Sequence, residues 1–184
     1  MREFFPGIGK IKFEGPDTAN PLAFKHYNPK EKVKVGRASK TMAEWLRFSV
    51  CFWHTFKGTG ADPFGPGTIR RSYQGGEPME EAENTLRAAF EFFSKLGVGF
   101  WCFHDLDIAP EADTLAETNA RFGKMVKLAA KLQKETGVKL LWGTSNMFSN
   151  RRFMAGAATN PSPAVFAYAA SQVKRALDAT HELG

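Results

Sequence analysis

Two stretches of this chain are built alike. "EFFSKLGVGFWCF" and "QKETGVKLLW" each leave a helix-like segment, pass a glycine (Gly97 or Gly137), and enter an apolar run of strand length within a residue or two. Glycine ends helices because it adopts the left-handed conformation without a Cβ penalty. A short apolar run directly after it has no room for a second helix and reads as a buried strand. The helices themselves are amphipathic. Ala82, Leu86, Ala89, Phe90 and Phe93 share one face of a helix over 79–97. Phe122, Met125, Val126, Ala129 and Leu132 share one face of a second, which Thr114 and Glu117 open with capping-box spacing. A third helix has Ser162 as its cap, Pro163 in its first turn and Gly184 after its last turn. Apolar strands alternating with such helices predict an α/β fold with a parallel sheet and βαβ crossovers.

The chain ahead of these units is less regular. Residues 1–40 are rich in Pro, Gly, Asn and Lys and are expected to form an ordered N-terminal arm on a single domain over 41–184. Within the arm "GKIKFEG" suits a short strand, and "NPLAFKHYNP" is bracketed by turn-forming Asn-Pro pairs. Thr41 and Glu44 again have capping-box spacing, so a short helix is expected there. "RFSVCFW" is expected as a strand of about seven residues. That gives about three βα units in all.

Charge and cysteine content limit the classes of function. The net charge of +6 permits a nucleic-acid partner, but only "KEKVKVGRASK" is densely basic, and a solvated loop is expected there. No nucleic acid is therefore expected as a partner. No apolar run approaches the roughly 20 residues that span a bilayer, so no membrane partner is expected either. Cys51 and Cys102 each sit in an apolar run, which fits free thiols in a reducing cytoplasm.

Polar and aromatic residues gather just past the predicted strands: Trp53 and His54, then His104 and Asp107, then Trp142, Thr144 and Asn146. Parallel α/β folds place their chemistry at that end. His104 and Asp107, in "FHDLDIAPE", are the leading candidates. A histidine titrates near neutral pH, and a carboxylate beside it fixes its ring and supports its protonated form. The same spacing also suits a strand-end histidine followed by a helix-capping aspartate. Asp105 is expected to face solvent or bond the backbone locally. His26 and His181 read as structural or exposed, and His54 as packed or turn-bonded. Trp53, Phe103, Trp142 and Phe148 suit either a core or a wall for the C–H face of a sugar. No set of histidines and carboxylates has convincing metal-site spacing.

Seven segments, taken in order and covering nearly the whole chain, resemble xylose isomerase of the longer, class II type. They are "FEGPDTANPLAFKHYNP", "LRFSVCFWHTF", "ADPFG", "AAFEFFSKLGV", "FWCFHDLDIAPEADTL", "VKLLWGTSNMFSN" and "GAATNPSPAVFAYAASQVKRALDATHELG". The resemblance implies a TIM (β/α) barrel, of which this chain would hold an incomplete part at the N-terminal end. It implies an aldose–ketose isomerase that interconverts D-xylose and D-xylulose, and often D-glucose and D-fructose, using two divalent ions (Mg, Mn or Co). By resemblance, His104 assists opening of the cyclic sugar, Asp107 orients it, and Trp53, Trp142, Thr144 and Phe148 line the sugar pocket. Phe64, in "ADPFG", matches an aromatic that reaches into a neighbouring subunit's pocket, which implies a homo-oligomer.

The family's pattern continues after "ELG" with further strands that carry a lysine and the metal ligands. The segments matched here are thus expected to hold the ring-opening half of the site. No metal is expected to bind this chain alone, and activity is expected only with a complementary C-terminal fragment. The competing expectation is a non-catalytic truncated or engineered α/β scaffold that self-associates through open sheet edges. Three local departures are Leu106, Arg151 and "IRRSY", of which the last two bear on loop geometry.

Overall fold

The computed structural model describes residues 3–184; Met1 and Arg2, the first two residues of the expected arm, lie outside the described residues. The first regular structure is a hairpin of β1 (Lys32–Val35) and β2 (Ala38–Thr41). This corrects the expectation of a solvated loop for "KEKVKVGRASK". Gly36, at φ +58°, opens the two-residue turn between the strands, a position where a side chain is disfavoured. The hairpin is tied down by Trp45, whose Nε1 donates to the Val33 carbonyl at 2.9 Å. Trp45 closes α1 (Met42–Trp45), a single turn that begins with the expected capping box. Glu44 N–H donates to Thr41 Oγ1 at 3.3 Å, and Thr41 N–H donates to Glu44 Oε2 at 2.7 Å. The short strand expected at "GKIKFEG" reduces to one bridge between Phe13 and Phe24, while Ile11 N–H donates to the Lys95 carbonyl at 2.6 Å.

β3 spans only Ser49–Cys51, shorter than the strand expected from "RFSVCFW". Phe52 has helical dihedrals and leads into a π-helical turn over Trp53–Lys57. Packing explains the switch. Phe52 and Phe56, four residues apart, are both buried, with their rings 5.3 Å apart. Phe52 lies 6.4 Å from Trp101 and Phe56 lies 5.8 Å from Phe93. A helical turn brings residues four apart to within about 6 Å of each other along the axis, whereas an extended strand would leave them on one face but about 13 Å apart, too far for the rings to touch.

The remaining elements are α2 (Pro78–Leu96), β4 (Phe100–His104), the one-turn α3 (Asp105–Ile108), α4 (Leu115–Thr136), β5 (Lys139–Thr144) and α5 (Pro163–Leu183); apart from the unforeseen α3 they follow the predicted order. Gly97 (φ +79°) and Gly137 (φ +75°) end α2 and α4 in the left-handed conformation, as the sequence required. β3, β4 and β5 form a parallel sheet in chain order, so the chain is an α/β fold of consecutive βα units.

One face of this sheet carries the core. Trp101 and Phe103 alternate with Cys102 along β4 and point at the helices. Trp101 lies 5.2 Å from Phe90 and 5.2 Å from Phe103, which in turn lies 6.1 Å from Phe122. The predicted stripe of α4 is buried throughout; that of α2 is buried except for the half-buried Ala82. Burial of each large side chain contributes about 1.5–3 kcal/mol. Trp101 is fully buried, yet its Nε1 donates to Gln133 Oε1 at 2.9 Å, and Gln133 Nε2 donates to the Leu183 carbonyl at 2.8 Å. That chain of bonds fastens α4 to the end of α5.

β5 contains an irregularity that matters for the opposite face. Trp101 pairs with Leu140, but Cys102 pairs with Trp142, leaving Leu141 as an extra residue. The bulge puts Trp142 and Thr144 in register with Cys102 and His104, on the face away from the helices. It also puts Gly143 opposite Phe103. A Cβ there would stand 2.6 Å from Phe103 Cζ and 2.7 Å from Thr180 Oγ1.

Candidate active site

His104 is the last residue of β4 and the cap of α3. Asp107, at the third position of that turn, folds back over the cap. Its Oδ2 accepts the His104 backbone N–H at 3.2 Å and lies 2.8 Å from His104 Nδ1. One geometry combines both contacts: Asp107 caps the turn and meets the ring. A carboxylate accepts hydrogen bonds, so in this contact Nδ1 is the donor and Nε2 is the ring nitrogen left facing away from Asp107. Both side chains are largely shielded, 14% and 11% exposed.

Aromatic rings wall the imidazole. Trp53, at the start of the π-helical turn, lies 4.4 Å from it, Phe148 lies 5.4 Å away edge-on, and Trp142 lies 6.4 Å away. Trp53 and Trp142 are 5.3 Å apart. Thr144 stands beside His104 in the sheet register. Six of the seven expected site residues thus converge at the carboxyl ends of the strands. Phe64 does not join them. It is 97% exposed, on a turn where Asp62 Oδ1 accepts the Phe64 N–H at 2.8 Å.

Asp105 corrects one of the two sequence expectations, that it faces solvent, and meets the other, a local backbone bond, through Leu106 N–H. It is buried, and three donors meet it: Leu106 N–H and Asn146 N–H at 2.8 Å on Oδ1, and Gln172 Nε2 at 2.8 Å on Oδ2. Burial pushes its carboxyl above the usual range, against the pull of these hydrogen bonds, and Asp107 nearby pushes the same way. Gln172 Nε2 also donates to the Asn146 carbonyl at 2.9 Å. Asn146 Oδ1 then accepts Phe148 N–H at 3.2 Å and Ser149 N–H at 3.0 Å, an Asx-type turn that sets Phe148 on the wall. Gln172 went unnoticed in the sequence. The available signal was one polar residue in the α5 stripe of Ala169, Ala176 and Ala179.

Two further supports hold the walls. Arg71, within the unusual "IRRSY", donates through Nη2 to the carbonyls of Thr55 (3.0 Å) and Gly58 (2.8 Å), fastening the turn that carries Trp53. Glu111 gathers Arg152 Nη2 at 2.7 Å, Asn150 Nδ2 at 2.8 Å and Tyr168 Oη at 3.2 Å, with the Arg152 guanidinium 3.9 Å over the Tyr168 ring. This cluster joins the segments that follow β4 and β5. Arg151 itself is exposed at the start of a 3₁₀ turn over Arg151–Phe153.

An apolar cavity of about 600 Å³ lies at the other end of the strands, against Tyr27, Phe48, Val50 and Phe100. It holds no group suited to proton transfer at neutral pH, so His104 and not this cavity marks the candidate site. Among the described residues no group of three or more His, Cys, Asp or Glu side chains is placed to hold a metal ion. No helix is long and apolar enough to cross a membrane among the described residues.

No family model matches the chain. Individual proteins do. It is 54% identical over 185 residues to a xylose isomerase of Actinobacillus pleuropneumoniae serotype 5b (strain L20), covering 100% of this chain and 41% of that protein. It is 53% identical over 183 residues to a xylose isomerase of Hordeum vulgare, covering 99% of this chain and 37% of that protein. It is 56% identical over 186 residues to xylose isomerase 1 of Xanthomonas campestris pv. campestris (strain 8004), covering 100% of this chain and 40% of that protein. Along its entire length the chain is therefore related to the xylose isomerases, spanning about two fifths of their length, which fits the expected match to their N-terminal portion.

Proposed function

We propose that this chain supplies the ring-opening half of an aldose–ketose isomerase site, acting on D-xylose to give D-xylulose and on D-glucose to give D-fructose. The observation that carries the reading is the Asp107-oriented His104 enclosed by Trp53, Trp142 and Phe148. Ring opening of a cyclic hemiacetal moves a proton from the anomeric hydroxyl to the ring oxygen. With Nδ1–H held by Asp107, Nε2 is the basic atom that takes and returns this proton. Asp107 stabilises the imidazolium formed in between. The aromatic faces receive the C–H faces of the sugar, and Thr144 offers a hydroxyl to it.

In this reading residues 41–184 are part of a TIM (β/α) barrel, with residues 1–40 as an arm against it. The barrel reading draws support from the parallel order of β3, β4 and β5 and from a site at their carboxyl ends. Two divalent ions (Mg, Mn or Co) supply Lewis-acid stabilisation in the complete family fold. The described residues do not fit that role, since no group of three ligands converges among them. The chain alone is expected to be inactive and to need a complementary C-terminal part. Phe64, exposed on its turn, is read as reaching a neighbouring subunit's sugar pocket in a homo-oligomer.

The test is a xylose isomerase assay with added magnesium, manganese or cobalt, on this chain alone and after mixing with a complementary C-terminal fragment. Activity only in the mixture, lost with His104→Asn, supports the proposal. No activity with a folded complement refutes it.

One observation favours a second reading, a self-associating scaffold without catalysis. Phe166, Val173 and Leu177 form an exposed apolar stripe on α5, and Leu141 and Trp142 of β5, the outer strand of the described sheet, are exposed as well. A strictly monomeric chain in sedimentation velocity removes that reading.

A further inference from the structure

Cys51 and Cys102 are the only two cysteines of the chain. They are direct partners in the register of β3 and β4, so their side chains leave the sheet on the same face. The two Sγ atoms are 3.9 Å apart, and no disulfide joins them. Ser49 Oγ lies 3.8 Å from Cys102 Sγ, one pair further down the same face. Cys51 is half-buried and Cys102 is buried.

This spacing is too wide for a disulfide, whose sulfurs sit at about 2.05 Å. It is close to the span of two sulfurs bound to one atom. With sulfur bonds of about 2.3 Å, an angle at the bridging atom between a pyramidal ~95° and a tetrahedral one sets the sulfurs roughly 3.4–3.8 Å apart. The pair is thus already set for one bridging centre, with little movement of either strand. The number of ligands narrows the class. Structural zinc takes four, and among the described residues no third His, Cys, Asp or Glu joins these two sulfurs. Soft centres of low coordination number are satisfied by two thiols.

We propose that Cys51 and Cys102 form a two-sulfur site that captures a thiophilic centre of low coordination number, typified by a trivalent arsenical. With phenylarsine oxide the step balances without an oxidant. Two arsenic–sulfur bonds form, the arsenic–oxygen bond breaks, and the oxygen leaves as water with the two thiol protons. Arsenic stays trivalent. Burial, together with the neighbouring Cys51, pushes the Cys102 thiol up to about 11, so its proton is in place at neutral pH for the departing oxygen. Cys51, the more exposed sulfur, is the point of entry.

The experiment uses the folded chain and phenylarsine oxide, read by intact-mass spectrometry and by titration of free thiols. The expected result is one phenylarsenic group per chain, loss of both thiols, resistance to excess monothiol and release by a small dithiol. Cys51→Ser and Cys102→Ser are each expected to lose the monothiol-resistant adduct. If Cys102→Ser fails to fold, Cys51→Ser still decides, and urea-unfolded wild-type chain provides a second control in which the adduct should yield to monothiol. Capture at one sulfur with the other still free, or an adduct equally monothiol-resistant in Cys51→Ser, overturns the proposal.

Discussion

Gln172→Leu isolates what holds the floor of the site. Gln172 Nε2 donates two bonds in the interior, to Asp105 Oδ2 at 2.8 Å and to the Asn146 carbonyl at 2.9 Å. Leucine fills similar space and donates neither. A hydrogen bond to a charged group contributes about 1.5–3 kcal/mol and a neutral one about 1 kcal/mol. Leucine's greater burial returns roughly 1 kcal/mol. The net loss at pH 7 is therefore about 1.5–3 kcal/mol, or roughly 4–8 °C in Tm for a chain of this size.

The pH dependence makes the test specific. Burial raises the Asp105 carboxyl above its unfolded value, while the Gln172 bond pulls it back by favouring the anion. A raised folded value means that this group's favourable contribution is full below the unfolded value and is lost as pH rises through the folded one. Removing Gln172 raises the folded value further. The deficit of the variant is then largest above both folded values and shrinks as pH falls through them, because a protonated Asp105 needs the lost donor less. Urea unfolding of both proteins, followed by circular dichroism from pH 7 down to about pH 4, measures the difference directly. A deficit that stays flat or grows on acidification refutes the claim that Gln172 holds an anionic Asp105.

Other expectations are simpler. Phe93→Ala, emptying a fully buried position beside Phe56 and Trp101, is expected to cost about 3–5 kcal/mol in urea unfolding. Gly143→Ala drives a methyl into Phe103 and Thr180, and is expected to cost about 1–3 kcal/mol in the same measurement; a neutral effect would show that β5 can slide. Thr114→Ala removes the hydroxyl that accepts Glu117 N–H at 3.2 Å, with a loss of about 1 kcal/mol. Asp107→Ala leaves Nδ1 of His104 without its acceptor; nitrogen-15 NMR of the ring is expected to show Nδ1–H in the parent chain and a mixture of tautomers in the variant.

The sequence was most legible where one period governs many residues. The stripes of α2 and α4 follow the 3.6-residue repeat, and their glycine stops need no tertiary information. The capping box at Thr41 and the meeting of His104 with Asp107 were readable because both lie within one turn. Legibility failed where tertiary packing overrides a local period. Phe52 and Phe56 carry β-type side chains, yet their shared core selects a helical turn. The hairpin at Gly36 is masked by its lysines, which mark solvent exposure but not the pairing of the backbone. Asp105 resembles any other acid of "HDLD" until β5 and α5 deliver Asn146 and Gln172 to it. Leu141 breaks the alternation of β5, so the sequence alone does not show which face Trp142 takes.

The single turn of α3 has a consequence for how the site assembles in time. His104 and Asp107 are three residues apart, so their contact closes a very short loop and depends on little else. Such contacts form on the timescale of a helical turn. The rings of Trp53, Trp142 and Phe148 reach His104 only after β3, β4 and β5 are paired, and pairings distant in sequence are slow. The His104–Asp107 pair is therefore built first, in contact with water, and its enclosure comes later. Any opening of an outer strand removes the enclosure while the pair persists.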